Sequence, residues 1–104
     1  MTEIQNMAAF EQEILSREGY SVVDFWAPWC GPCRMMAPVL ESAAEAMGDV
    51  HFTKCNVDEN QELAMKFGIM SIPTVVLFKD GKEIHRMVGA VPLQAFLDEL
   101  KGHM

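Results

Sequence analysis

The spacing of hydrophobic residues changes several times along the chain, and each change marks an element. Met7, Phe10 and Ile14 recur at helical spacing until Arg17 and Gly19 close the pattern, so an amphipathic helix is expected over 7–18, preceded by a short strand around 2–6. Residues 20–27 read Tyr-Ser-Val-Val-Asp-Phe-Trp-Ala, a β-branched and aromatic run that is apolar on both faces, as a central strand requires. Asp24 is its one charge. Met36, Val39, Leu40, Ala43 and Met47 then fall on one helical stripe, which predicts a helix from the cysteines at 30–33 to Gly48, bent at Pro38.

Beyond it the pattern predicts a strand over 50–57, a short helix over 60–67 closed by Gly68, and a buried strand over 74–78. Asp80-Gly81 tolerates the positive φ of a tight hairpin turn and leads into a strand over 83–88. Leu93, Phe96, Leu97 and Leu100 form the stripe of a closing helix after Pro92. The order β-α-β-α-β-α-β-β-α belongs to the α/β class. Helical crossovers make parallel neighbours, the hairpin makes an antiparallel pair, and helices are expected on both faces of a mixed sheet.

Composition narrows the picture. The 104 residues suffice for one core, so a single domain over 1–104 and a monomer are expected. The formal charge of -7, with basic residues interleaved among acids, argues against nucleic acid or an anionic membrane as partner. The first residues carry acids where a secretory signal would carry a basic region, and no stretch approaches a membrane span. That points to the cytoplasm, or to a mature form whose signal has been removed. Three cysteines are an odd number and fit poorly with a secreted disulfide framework.

Two of them carry the candidate chemistry. Cys30 and Cys33, three apart in a first helical turn, project to one side within the Cα separation of roughly 4.4–6.8 Å that a disulfide tolerates. The positive end of the helix favours a thiolate on Cys30, making it the nucleophile and Cys33 the resolving thiol. Gly31 lets a partner's backbone approach and Pro32 stiffens the ring. Neither adds charge to stabilise the thiolate further, which points to a reductant rather than an oxidant. A zinc site is the competing reading of such a pair, but Cys55, His51, His85 and His103 offer no second pair at the usual spacing, so no metal is expected. A carboxylate inside an apolar strand has its proton affinity raised by desolvation, which suits Asp24 to accept a proton from Cys33.

The segment Val23-Asp24-Phe25-Trp26-Ala27-Pro28-Trp29-Cys30-Gly31-Pro32-Cys33 closely resembles the thioredoxin family. So do Lys54-Cys55-Asn56-Val57-Asp58, Ile72-Pro73-Thr74 and Val88-Gly89-Ala90, and the likeness covers essentially the whole chain. The resemblance implies the thioredoxin fold, a five-stranded mixed sheet of order 1-3-2-4-5 flanked by four helices, with the last two strands antiparallel to the middle ones. It implies a redox-active Cys30–Cys33 disulfide with no bound cofactor. Electrons would come from a thioredoxin reductase and pass to enzymes that form a disulfide in turnover, such as ribonucleotide reductase, peroxiredoxins or methionine sulfoxide reductases. Asp24 would be the buried proton acceptor, with Lys54 near it; a purely structural Asp24–Lys54 pair is the alternative. Trp26 would pack beneath the site, as plain core or as a tuning group. Trp29, Ile72, a cis-Pro73, Gly89 and Ala90 would form the client-binding surface.

The chain departs from the family's commonest pattern in places. Cys55 stands where an aliphatic residue is usual, and alternation turns it away from Lys54, as a buried small hydrophobe or else a regulatory thiol. Met70 and Ser71 stand where many relatives carry a basic residue and glycine, which bears on partner preference.

Overall fold

A computed structural model describes residues 1–104. Its elements are β1 (Thr2–Glu3), α1 (Met7–Phe10), a π-helical continuation (Glu11–Leu15), β2 (Tyr20–Trp26), α2 (Gly31–Ala46), β3 (His51–Asn56), α3 (Gln61–Lys66), β4 (Thr74–Lys79), β5 (Lys82–Val88) and α4 (Leu93–Gly102). The Asn6 side chain caps α1 by accepting from the Ala9 amide at 2.8 Å. The first helix is shorter than its apolar stripe predicts. It widens at its end, where the Ser16 amide donates five residues back to Glu11, and stops before Gly19. By contrast, α2 continues through Pro38.

The strands lie in the order β1-β3-β2-β4-β5. β3 runs parallel to both β1 and β2, β4 is antiparallel to β2, and β5 is antiparallel to β4. The expectation that both final strands oppose the middle ones holds for β4 alone. The tight turn at Asp80 (φ 51°) and Gly81 (φ 82°) reverses the chain once more, so β5 runs with β2 and β3. That turn is clamped to the α1–β2 loop, because the Gly19 amide donates to Asp80 Oδ1 at 2.7 Å and the Asp80 amide donates to the Gly19 carbonyl at 2.9 Å. A Cβ at Gly81 would run into the Leu15 carbonyl.

Strand alternation sorts the core into two layers. Val22, Phe52, Val75 and Leu77 face Met36 and Leu40 of α2 and Phe96 and Leu100 of α4. On the other side Val23, Phe25, Cys55, Val76 and Phe78 meet Phe10 and Ile14 of the first helix and Leu63 of α3. Each fully buried Phe or Leu contributes about 1.5–3 kcal/mol, so these layers supply the main driving force. Alternation also puts Asp24 and Lys54 on the α2–α4 face, side by side in parallel register. An aspartate and a lysine thus sit at one end of an apolar layer. No helix is long and apolar enough to cross a membrane.

Candidate active site

The chain leaves β2 at Trp26 and turns into α2 at Cys30, the N-cap of the helix. The Cys30 sulfur accepts a hydrogen bond from the Cys33 backbone amide at 3.2 Å, the interaction by which a helix start favours a thiolate. Pro32 lies in the first turn, where its missing N–H would have had no intrahelical partner. Cys30 and Cys33 form a disulfide with their Cα atoms 5.2 Å apart, and both are buried. Gly31 is half-buried and Pro32 exposed, so the motif meets solvent at its tip.

The two sulfurs face different surroundings. The Cys30 sulfur lies 3.7 Å from the Ile72 carbonyl oxygen. The Ile72–Pro73 peptide bond is cis. The Gly89 amide donates to the Pro73 carbonyl at 2.8 Å, at a φ of 94° that favours glycine. Ala90 follows it, exposed. On the other flank Trp29 is 67% exposed, and its indole Nε1–H donates to Asp58 Oδ2 at 2.8 Å. Between them an apolar groove of about 340 Å³ runs from Trp29 past Val57, Ile69 and Ile72, with the exposed Met65 and Met70 at its rim.

Cys33 instead lines a half-open pocket of about 150 Å³ together with Asp24, Trp26, Leu40 and Lys54, with the exposed Met1, Arg34, Ala37 and Glu41 at its mouth. Asp24 is 4% exposed, and its Oδ1 has no hydrogen-bond partner. Burial pushes its pKa from the usual 3.8 up to about 7; Lys54 opposes the shift and the nearby Glu3 carboxylate adds to it. No ion pair joins Lys54 to Asp24. The Lys54 ammonium lies over the Trp26 ring, 5.0 Å from its centroid, a cation–π contact. The Trp26 Nε1–H donates to Glu3 Oε2 at 3.4 Å. Trp26 is therefore in contact with charged groups as well as packed against the disulfide.

Cys55 is free and fully buried among Phe10, Phe25 and Leu63, on the opposite face from Lys54. Burial pushes its thiol up to about 12, with the Glu3 and Asp24 carboxylates adding to the shift. It is placed as a small hydrophobe. Arg34 is tied locally, donating from Nη1 to the Pro28 carbonyl at 2.9 Å.

The structure thus gathers Cys30, Cys33, Ile72, Pro73 and Gly89 around the disulfide, and Asp24, Lys54 and Trp26 behind it. Three residues near the site carry no assignment from the sequence: Glu3, Asp58 and Met65. Asp58 closes the quoted segment around Lys54, a signal that could have found it. Glu3 had none, since its link to Trp26 spans 23 residues outside any motif.

A disulfide at a helix start, backed by a buried carboxylate and bordered by an apolar groove, defines a thiol-disulfide oxidoreductase. The chain belongs to the thioredoxin family, whose model, described as thioredoxin, matches residues 1–102. It is similar to thioredoxin 1 of Synechococcus elongatus, at 48% identity covering 93% of this chain and 92% of that protein. Its likeness to the thioredoxin of Bacillus subtilis is 50% identity over 84% of this chain and 85% of the other. Among solved structures, Fasciola hepatica thioredoxin superposes with a TM-score of 0.91 at 38% identity, covering all of both chains.

Proposed function

We propose that the chain reduces protein disulfides with Cys30 as the attacking thiolate, Cys33 as the resolving thiol and Asp24 as the group that takes the Cys33 proton. The observation that carries this reading is the asymmetry of the two sulfurs. That of Cys30 accepts a helix-start amide beside the groove, while Cys33 lines the half-open pocket with Asp24.

In the reduced protein the Cys30 thiolate attacks one sulfur of a client disulfide. A mixed disulfide forms, and the other client sulfur leaves as a thiolate that gains a proton. The Cys33 thiol then passes its proton toward Asp24, through the cavity, which has room for a water relay. The Cys33 thiolate attacks the Cys30 sulfur, closing the Cys30–Cys33 disulfide, and the second client sulfur leaves as a thiolate that takes up the proton held by Asp24. Two electrons have passed to the client, with one proton from Cys33 by way of Asp24 and one from solvent.

Trp29, Ile72, Pro73, Gly89 and Ala90 form the client surface, where the Ile72 backbone pairs with an extended client segment. Gly31 and Pro32 keep the tip of the motif uncharged, and Lys54 and Trp26 support Asp24. The domain acts as a monomer in the cytoplasm. A thioredoxin reductase restores the dithiol, and the clients are ribonucleotide reductase, peroxiredoxins and methionine sulfoxide reductases. No nucleic acid, membrane, metal or bound cofactor enters this scheme. The deciding assay is reduction of insulin disulfides by NADPH, a thioredoxin reductase and this protein. Brisk turnover supports the reading; a protein that binds clients without turnover would instead be a structural subunit.

A further inference from the structure

Parallel pairing lines up three charged residues across neighbouring strands: Glu3 of β1 beside Lys54 of β3, and Lys54 beside Asp24 of β2. Register partners in a parallel sheet point to the same face, so one lysine stands between two carboxylates. Its ammonium pairs with neither and rests on the Trp26 ring, whose Nε1–H is held by Glu3. Trp26 in turn walls the cavity shared by Asp24 and Cys33.

We infer that Glu3 is a positioning residue, which, acting through Trp26 and Lys54, holds the lysine cation off Asp24 and keeps Asp24 a ready proton acceptor for Cys33. This rests on the proposed role of Asp24. A carboxylate paired with Lys54 would be a weak base, because the cation would stabilise its charged form. With Glu3 on the other side of the lysine, that stabilisation is divided, and the Glu3 charge itself raises the proton affinity of Asp24. The other titratable or charged residues lining the same cavity are Cys33, Arg34 and Glu41 of α2, with Met1 at its rim. From β4 and α4 the residues packed on this face include the apolar Val75, Leu77, Phe96 and Leu100. Arg34 is tied by Nη1 to the Pro28 carbonyl, and the cation that acts on Asp24 is Lys54.

The test compares Glu3→Gln, which keeps an oxygen for the Trp26 N–H and removes the charge, with Glu3→Asp, which keeps the charge. The Asp24 carboxyl carbon is titrated by NMR in the oxidised protein, and the pH profile of disulfide exchange is measured on the reduced one. Glu3→Gln should lower the Asp24 midpoint by about half a pH unit, or roughly threefold in proton affinity, and move the acid limb of the exchange profile the same way. Glu3→Asp should restore most of both. An unchanged Asp24 midpoint in Glu3→Gln would overturn the inference and leave Glu3 as an anchor for Trp26. A shifted midpoint with an unmoved exchange profile would keep the Glu3 coupling and instead remove Asp24 from the reaction.

Discussion

Asp24 and Lys54 stand next to each other in register on β2 and β3, yet no ion pair joins them, and the lysine charge rests on Trp26. An unpaired carboxylate in an apolar layer is costly once ionised, and Asp24 responds by holding its proton up to a pH of about 7.

That has a consequence for stability. The folded pKa is raised above the unfolded one, so the folded state is favoured most below the unfolded value near 3.8. It loses stability as pH rises through about 7. Each unit of separation corresponds to about 1.4 kcal/mol, which gives about 4 kcal/mol as the ceiling of the penalty. Asp24→Asn should therefore gain about 2–4 kcal/mol at pH 8 in urea unfolding, and the gain should vanish near pH 4. The same variant should slow disulfide exchange at the resolving step by about ten- to a hundredfold. A variant that is less stable at pH 8, with unchanged exchange, would make Asp24 a purely structural group.

The surroundings of the two sulfurs predict an asymmetry in trapping. Cys33→Ser should accumulate mixed disulfides between Cys30 and client proteins, whereas Cys30→Ser should accumulate almost none. Non-reducing gels of each variant mixed with a disulfide client read the difference, and equal trapping would reverse the assignment.

Cys55 should stay silent throughout. With its thiol pushed up to about 12, its thiolate fraction at pH 8 is roughly a thousandfold below that of a free cysteine, and packing blocks reagents as well. Brief alkylation followed by mass spectrometry should leave it unlabelled in the oxidised protein. Cys55→Ala should cost about 1 kcal/mol of stability and leave turnover intact. A large loss of turnover would point to a regulatory thiol.

Client choice should respond to the groove rim. Met70 is 95% exposed and uncharged beside Ile72, so Met70→Lys should speed reduction of clients with acidic residues near the cystine by about two- to fivefold, and slow basic ones. The difference should shrink at high salt. Identical rates for both client types would show that the groove ignores charge at this position.

Legibility in the sequence followed the range of the interactions. β2 and β4 announced themselves as apolar runs, α2 and α4 as stripes, and Asp80-Gly81 as a turn, because those signals are local. Asp24 was legible for the same reason, a single acid among Val22, Val23, Phe25 and Trp26. β1 is only Thr2 and Glu3, and its strand character comes from pairing with Thr53 and Lys54 rather than from its own residues. The π-helical turn at the end of the first helix leaves no periodic trace, and the final strand direction depends on counting reversals along the chain. Side-chain bonds such as Trp29 to Asp58 and Trp26 to Glu3 join distant segments through geometry that spacing does not encode.

The outer strands of the sheet bear on how such a protein behaves at high concentration. An open sheet edge is a template on which another chain can add a strand. Here one edge, β1, is two residues long. The other, β5, has a register irregularity opposite Leu77 and Phe78, carries Lys82, Glu83 and Arg86, and is pinned to α4 by a 2.7 Å contact between His85 Nε2 and Glu99. Short length, a kink and charge are the features that discourage edge-to-edge aggregation. The apolar groove beside Trp29, Met70 and the disulfide remains open, and contact with another protein there can lead to electron transfer.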